Sequence, residues 1–538
     1  MRKLRLVASS GDDDVLVPFM RSVCDETGWE ITDYLTGFSS KNEHLQPEAA
    51  FPGCEVHRSQ DASRGVLANS AAGTMLPEVD LTVLQKMSPY EHMFMCLLDI
   101  YDPDGRSFTS KERRDAYYAL LRFGLHVMSH KPDLYIAGSV PNAIHDYMVY
   151  CLCRAYGIPT IVYLYLPSIK LVLPFPSLED RNHLLQRNYR EALTKLPIGA
   201  VQLDESFESY YTRTRADHET ARPWYLDIRN YSLFRKRTWF GMLFNPFDPD
   251  NYVRSALRQA RYFARLLLSR SLYEEEMRVP QADFFKDPKK SLAQSLTSRY
   301  EIRKVFEKAR KVKRRLLAQY EKLQVTDVRL DRPYVYVPLH VQPEATTYPL
   351  GGYYLDQILM IRLLAESLPE GWVIYVKEHR ITFDPDLRGD FGRSDSYYQQ
   401  IAEIPNTFLI PMDASSFELM DKAAAVANVT GTAGFEALLR GTPTLVFGNA
   451  WYIDCDGAFD SRTREGCLQA FAEIAAGRRP DQLKVRLFMS ELGKTGIRAN
   501  REYENPQNDI TPEENVRRFR EHLLRELPKL YPGIMDAH

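Results

Sequence analysis

The sequence predicts an α/β protein made of two Rossmann-like domains that face each other across a cleft. Strands and helices alternate in both halves of the 538-residue chain, and helices without strands lie between them. Small and polar residues also follow several predicted strands, where parallel sheets bind ligands. The expected units are the N-terminal domain (1–205), a helical region (206–328), the C-terminal domain (329–510) and a closing helix (511–538).

Elements of the first domain alternate in the order of a parallel sheet. Strands are predicted where short apolar runs end in turn residues, and helices where apolar residues recur at helical spacing. The predicted strands cover 4–10, 29–37, 132–140 and 158–167, and the predicted helices cover 15–28, 89–102, 111–130 and 141–157. Residues 45–80 show no clear periodicity.

The middle of the chain is densely charged and reads as long helices over 257–278 and 300–323. Acidic residues near its basic run at 308–317 reduce the net positive charge there. This favours a solvated helix over a contact with nucleic acid or a membrane. The alternation returns at Pro333, and Thr511 with Glu514 three residues later predicts the start of the closing helix.

Composition excludes several classes of protein. Hydrophobic residues make up 44% of the chain and the net charge is −2, so a large core is expected and a general attraction to nucleic acid is not. The seven cysteines are scattered without a CxxC pair, which predicts reduced thiols and no metal ligand set. With no signal peptide or membrane span in the pattern, we expect a cytoplasmic protein, and a peripheral contact with the inner face of the membrane stays open.

The stretch VTGTAGFEALLRGTPTLVFG, residues 429–448, predicts an anion site. A strand ends here and turns directly into a helix, whose first turn exposes backbone N–H groups and the positive end of the helix dipole. Small residues allow a ligand to approach the backbone, and threonine hydroxyls add donors. The candidate residues are Thr430, Gly431, Thr432, Gly434 and Glu436. A plain tight turn remains the alternative.

Further polar residues follow other strands of the same half. Because the carboxyl ends of parallel strands share one edge of a sheet, we expect these residues to converge beside Thr430. The candidates for binding the anion are Gln342, Lys377, Arg380 and Arg393, and the candidate catalytic residues are Glu344 and His379. A carboxylate on a loop at the cleft suits deprotonation of an attacking hydroxyl, although Glu344 is equally compatible with a surface acid.

The first domain offers three candidates for contact with an acceptor, which are Ser139, Asn142 and His145. They lie where the strand at 132–140 gives way to the next helix. An alternative for Asn142 and Asp146 is that they only cap that helix.

Together, the Gln342-x-Glu344 loop, the Lys377-x-His379 strand end and the segment from Thr430 to Tyr452 resemble bacterial capsule polysaccharide biosynthesis proteins. They are especially similar to the retaining β-Kdo transferases of capsule assembly, over roughly residues 330–455. This resemblance implies a GT-B fold, a CMP-activated sugar acid as donor, a catalytic role for Glu344, and donor contacts at Lys377, His379 and the Thr430 turn. It implies no cofactor beyond the nucleotide-sugar substrate and no metal.

The resemblance leads us to expect a glycosyltransferase that acts on a surface polysaccharide or a lipid-linked glycan. Two alternatives stay open. One keeps the fold but uses a UDP- or GDP-sugar or a CDP-polyol phosphate, and the other is a non-catalytic protein of glycan export or a scaffold. The oligomeric state is not predicted.

Overall fold

The computed structural model describes residues 2–9, 13–36, 47–67, 76–102, 108–195, 201–216, 292–344, 346–384, 389–500 and 510–536. The helix predicted over 257–278 therefore lies outside the described residues. Within them, no helix is both long and apolar enough to cross a bilayer. All seven cysteines are free, as predicted.

A seven-stranded sheet forms the centre of the first domain, in the order β13-β6-β5-β4-β1-β2-β3. Its strands are β1 (Arg5–Ser9), β2 (Glu30–Leu35), β3 (Glu55–His57), β4 (Leu134–Ala137), β5 (Thr160–Leu166), β6 (Leu171–Phe175) and β13 (Ile497–Arg498). The first five strands are parallel, β6 runs antiparallel to β5, and β13 runs antiparallel to β6. Strand β3 falls in the stretch that showed no periodicity.

Helices cover this sheet. They are α1 (Asp13–Thr27), α2 (Pro47–Ala50), α3 (Ser59–Ala62), α4 (Leu81–Asp99), α5 (Ser110–Ser129), α6 (Ile144–Ala155), α7 (His183–Thr194) and α8 (Glu205–Ala216). Local chemistry fixes where the longer ones begin. Asp80 accepts from the Val83 N–H at the start of α4, and Thr109 and Glu112 form a reciprocal capping box at the start of α5.

The second domain contains a six-stranded parallel sheet in the order β12-β11-β10-β7-β8-β9. The strands are β7 (Tyr334–Pro338), β8 (Val373–Lys377), β9 (Thr407–Leu409), β10 (Ala425–Asn428), β11 (Thr444–Val446) and β12 (Ala458–Asp460). The helices are α9 (Leu292–Leu323), α10 (Gln357–Ser367), α11 (Tyr397–Ala402), α12 (Ser416–Lys422), α13 (Thr432–Arg440) and α14 (Arg464–Ala475). The strand order reverses between β7 and β10, which is the switch point where such sheets bind ligands.

Helix α9 carries the basic run and packs one face on this domain. Leu316 and Tyr320 are buried in the core, and the buried Lys313 ammonium donates to the Asp384 carbonyl. The same helix presents exposed charged residues on its other side, as the solvated-helix interpretation predicts.

After α14 the chain returns to the first domain. Helix α15 (Gln482–Thr495) packs on α7, β13 joins the first sheet, and α16 (Pro512–Leu530) packs on α1. The sequence analysis placed residues 329–510 in the second domain. The pairing of Ile497 with Val172 instead assigns β13 to the first sheet. Thr511 caps α16 by accepting from the Glu514 N–H, as predicted. Two Rossmann-like domains with a returning helix confirm the predicted GT-B-like architecture.

Candidate functional site

The loops after β7 and β10 meet at the switch point of the second sheet. His340 Nε2 accepts a hydrogen bond of 3.1 Å from the Val429 N–H. The Thr430 hydroxyl donates to the Thr346 carbonyl. These contacts join the two loops into one surface at the carboxyl edge of the sheet, as the sequence predicted.

Helix α13 begins at this surface. Gly431 stands at its N-cap, and no described side chain caps the helix there. A Cβ on Gly431 would lie 2.6 Å from His340 Cε1, so glycine allows the two loops to close together. A Cβ on Gly434 would lie 2.3 Å from Tyr452 Oη and 2.4 Å from Asn428 Nδ2. The first turn of α13 therefore presents its backbone N–H groups beside a tightly packed loop.

One turn into α13, Glu436 hydrogen-bonds the exposed Thr432 side chain. Burial raises the pKa of Glu436 to about 7, and the Thr432 hydrogen bond opposes that rise. Near neutral pH this carboxyl group therefore carries only part of a negative charge, which reduces its repulsion of an anion at the helix start.

Lys377 lies at the end of β8, half buried beside Tyr336. Its ammonium donates to the Ala414 carbonyl at 2.8 Å and to the Ser416 hydroxyl. Burial lowers the pKa of Lys377 to about 8, and Arg380 adds repulsion. Since an ammonium has three N–H donors, one remains for a ligand among the described contacts.

The His379 ring is oriented by its own backbone turn. Nδ1 accepts a 3.2 Å hydrogen bond from the Ile381 N–H, so the neutral ring carries its proton on Nε2. Burial lowers the pKa of His379 to about 4. At neutral pH the ring is therefore an uncharged donor. The neighbouring Arg380 donates from Nε to the Met412 carbonyl at 3.2 Å.

Arg393 lies at this edge but its donors point into the protein. It forms a fully buried ion pair with Glu378, with Nε to Oε2 at 2.7 Å. Its other N–H groups donate to Gln342 Oε1, the His340 and Gly392 carbonyls and Glu378 Oε1. All five guanidinium donors thus have protein acceptors. The expectation that Arg393 binds the donor phosphate is corrected, because no N–H of Arg393 is left for it.

Gln342 belongs to the same buried network. Its Oε1 accepts from Arg393 Nη1 at 3.0 Å and from Gln357 Nε2 at 3.2 Å, and its Nε2 donates to the Leu355 carbonyl at 2.7 Å. A Cβ on Gly392 would lie 2.3 Å from that oxygen. Gln342 therefore supports the loop after β7 from inside, which corrects its expected place at the donor.

Glu344 is exposed on the loop after β7. Its carboxylate is 3.5 Å from the Thr346 hydroxyl, and its carbonyl accepts from the Thr347 and Tyr348 N–H groups. The Glu344 carbonyl is therefore held in place while the side chain is exposed, which suits a base acting on an incoming hydroxyl.

The sequence did not predict that the segment following β7 contacts the first domain. Tyr353 stacks on His92 of α4, with ring centroids 4.7 Å apart and the planes at 21°. Helix α4 therefore borders the region of the second domain that includes Glu344. In the sequence, His92 is a polar residue within the helix predicted over 89–102, and nothing there indicates this contact.

The three acceptor candidates of the first domain differ in how deeply they are buried. Ser139 is partly buried and Asn142 is exposed. His145 is 1% exposed and its Nδ1 lies 2.8 Å from the Ser63 hydroxyl, and burial lowers its pKa to about 3. His145 thus packs inside the domain, which corrects its expected contact with an acceptor.

Asp146 is also buried, and it does not cap α6. Its Oδ1 accepts from the Ser9 and Tyr135 hydroxyls at 2.5 Å each. The N-cap residue of α6 is Ala143, without a side-chain cap. The capping alternative for Asn142 and Asp146 is therefore not seen.

One family model matches part of the chain. Residues 246–501 match the family model for capsule polysaccharide biosynthesis proteins. No curated protein matches the chain.

Several solved structures are similar at low identity. The β-Kdo 2,7-transferase KpsC of Thermosulfurimonas dismutans is 19% identical over 40% of this chain and 61% of its own, with a TM-score of 0.23. The UDP-GlcNAc 2-epimerase of Methanocaldococcus jannaschii is 12% identical over 90% and 98%, with a TM-score of 0.23. The α,α-trehalose 6-phosphate synthase of Burkholderia multivorans is 11% identical over 98% and 97%, with a TM-score of 0.26.

The chain thus spans 61% of the first of these structures. These TM-scores are low, and the fold assignment rests on the strand order and pairing. Over residues 246–501 the chain matches the capsule polysaccharide biosynthesis proteins, and the resemblance predicted from the motifs at Gln342, Lys377 and Thr430 is confirmed there.

Proposed function

We propose that this protein is a glycosyltransferase that moves a sugar, a Kdo-like acid carried by CMP, onto a surface polysaccharide or a lipid-linked glycan. The observation that carries the proposal is the start of α13 at the switch point, at the same carboxyl edge of the sheet as Lys377, which ends β8, and His379, two residues later. The family match over the same residues supports it.

In this proposal the donor phosphate binds at the start of α13. The backbone N–H groups of the first turn donate to it, with Gly431 allowing the close approach. Lys377 supplies a positive charge and an N–H that has no acceptor among the described contacts, and the neutral His379 donates from Nε2. These donors stabilise the negative charge that develops on the departing phosphate, which is the step where preorganised donors contribute most.

Glu344 accepts a proton from the acceptor hydroxyl or acts at the reacting carbon. The acceptor lies between the loop after β7 and the first domain, with Ser139 and Asn142 as accessible contacts. The stacking of Tyr353 on His92 holds the two domains together beside this space. Closure around the substrates excludes water and limits hydrolysis of the donor.

A panel of nucleotides tests the donor. The melting temperature of the full chain is measured with CMP, UMP, GMP and CDP, since a ligand that binds the folded state raises it. We expect CMP to raise it most. The Lys377→Met variant should bind CMP about tenfold more weakly, equivalent to about 1.4 kcal/mol. Lys422→Met is the matched control, because Lys422 is an exposed lysine paired with Glu418.

Each other outcome points to one of the alternatives. Tight binding of UMP or GMP without CMP would assign a different sugar donor, and CDP alone would indicate a polyol phosphate. If none of the four nucleotides binds and Glu344→Gln leaves the host glycan unchanged, the protein is a non-catalytic partner of glycan export.

A further inference from the structure

Away from the proposed transfer site, the first domain contains a cluster of three histidines and two carboxylates. Its members are Asp33 on β2, Glu55 and His57 on β3, and His126 and His130 at the end of α5. The cluster lies at the edge of the first sheet, where Asp33 of β2 pairs with Glu55 of β3, whereas the proposed transfer site lies at the carboxyl edge of the second sheet.

Three members of the cluster converge on one point. His126 Nε2 lies 2.9 Å from Glu55 Oε2, and His130 Nε2 lies 3.9 Å from the same oxygen. One ligand atom from each residue lies within 4.8 Å of the others. His126 lies in the last turn of α5 and His130, four residues later, is its C-cap, so their rings share one side of the helix. Two imidazoles and one carboxylate at such separations suit a divalent transition metal.

The structure also provides the outer support that metal-binding histidines have. His130 Nδ1 lies 2.9 Å from Asp33 Oδ2, so Asp33 orients the ring while Nε2 faces Glu55 Oε2 at 3.9 Å. Asp33 is completely buried and is held in turn by His57 Nε2 at 2.9 Å. A carboxylate that fixes the far nitrogen of a ligating histidine determines both its tautomer and its orientation.

The negative charge of the cluster and its access to solvent also suit a bound cation. The side chains of His126, His130 and Glu55 are 16%, 32% and 27% exposed, and a surface groove of about 860 Å³ reaches Glu55 and His130. The end of α5 presents the negative end of its dipole to the cluster. A divalent cation would balance the charge of the two carboxylates.

We propose that His126 Nε2, His130 Nε2 and Glu55 Oε2 bind one divalent transition metal ion of the zinc class, with Asp33 positioning His130. Water would complete the coordination from the groove. Because the ligands come from α5 and β3, and Asp33 from β2, the ion ties the helix to the edge of the first sheet. This site is separate from the proposed transfer reaction.

Metal titration of the full chain tests the proposal. After treatment with EDTA and removal of the chelator, the protein is titrated with Zn²⁺ by calorimetry and with Co²⁺ by visible absorption. We expect one saturable site, a Co²⁺ spectrum of low coordination number that Zn²⁺ abolishes, and a higher melting temperature with Zn²⁺.

Variants identify the ligands. Glu55→Gln and His126→Ala should each weaken Zn²⁺ binding at least about tenfold, and Asp33→Asn should weaken it by roughly 10–100-fold. The matched controls are His183→Ala, an exposed histidine on α7, and Glu48→Gln, a surface acid paired with Arg58. They should bind Zn²⁺ as the original chain does.

Two results would overturn the proposal. One is the lack of a saturable site in the original chain, which would leave the cluster as a network of ion pairs. The other is unchanged binding in both Glu55→Gln and His126→Ala. Glu55 is partly exposed, so its amide variant keeps the test valid if Asp33→Asn does not fold.

Discussion

Arg393 and Glu378 form a buried ion pair at the carboxyl edge of the second sheet, with hydrogen bonds of 2.7 Å from Nε to Oε2 and 3.1 Å from Nη2 to Oε1. Neither side chain is exposed to solvent. Glu378 also accepts from the Tyr398 hydroxyl at 2.6 Å. This network supports the loop after β7 from inside the domain. Among the described contacts, Lys377 and His379 on either side of Glu378 each keep one N–H group without a protein acceptor.

Removing the charge of Arg393 should therefore destabilise the fold. Arg393→Gln leaves Glu378 buried without its partner, and we expect the free energy of unfolding to fall by about 3–5 kcal/mol. Arg315→Gln is the control, because Arg315 and Asp395 form an exposed pair that contributes about 0–1 kcal/mol. Urea unfolding measures both variants. Equal losses would show that the buried pair does not support the edge.

Nucleotide binding should weaken as the pH rises through the pKa of Lys377. That pKa is lowered to about 8, so the free protein loses this positive charge between pH 7 and 9. The dissociation constant of CMP, followed by calorimetry across this range, should increase above pH 8. Lys377→Arg should flatten the profile because a guanidinium stays charged. A flat profile in the original chain would place the phosphate away from Lys377.

Glu344→Gln should reduce turnover and preserve nucleotide binding. A general base contributes about 10²–10⁴-fold, and the amide cannot accept the proton. Turnover of the CMP-linked sugar acid and the dissociation constant of CMP are measured in parallel. Glu370→Gln, at an exposed position of the same domain, serves as the control. Full turnover in Glu344→Gln would remove Glu344 from the reaction.

A methyl group at Gly434 should disrupt the start of α13. The added Cβ would lie 2.3 Å from Tyr452 Oη, and overpacking of this kind costs about 1–3 kcal/mol. At Gly138 a Cβ would lie 3.6 Å from Leu16, in ordinary contact, so Gly138→Ala should change the melting temperature little. Similar shifts for the two variants would contradict the close packing described around Gly434.

Acid should loosen the closing helix through His522. This residue is buried on α16, its Nε2 lies 2.8 Å from the Thr495 carbonyl, and burial lowers its pKa from 6.5 to about 4. Between those two values the unfolded chain binds a proton that the folded chain does not, so stability falls as the pH falls. The contribution lost by pH 4 is about 2–3 kcal/mol.

His522→Gln keeps a donor for Thr495 and does not titrate, so its stability should fall less between pH 6.5 and 4 in thermal melts. His183→Gln, at an exposed site, should follow the original chain. If His522→Gln has the same acid dependence as the original chain, the histidine is not buried in its neutral form.

Much of the fold could be predicted from local pattern, because the strands of the second sheet are short apolar runs followed by turn residues. The edge strands of the first sheet could not be predicted in this way. Strands β3 and β13 contain only three and two residues, and their pairing is set by distant partners such as Asp33 and Val172.

The positions of the candidate residues in the fold were predictable from the sequence, whereas the direction in which each side chain points was not. Strand ends converge in any parallel sheet, so the grouping of Lys377, His379 and Thr430 follows from their order. The sequence alone does not reveal whether a cation points outward or inward. Arg393 lies 15 residues from Glu378, and only the packing of both under the loop after β7 shows that they neutralise each other.

A crystal structure of the chain with CMP tests the central claim most directly. We predict that the phosphate lies within hydrogen-bonding distance of Lys377 Nζ and of the backbone N–H groups of Thr432 and Ala433. A nucleotide bound away from the start of α13, or none bound at saturating CMP, would contradict it.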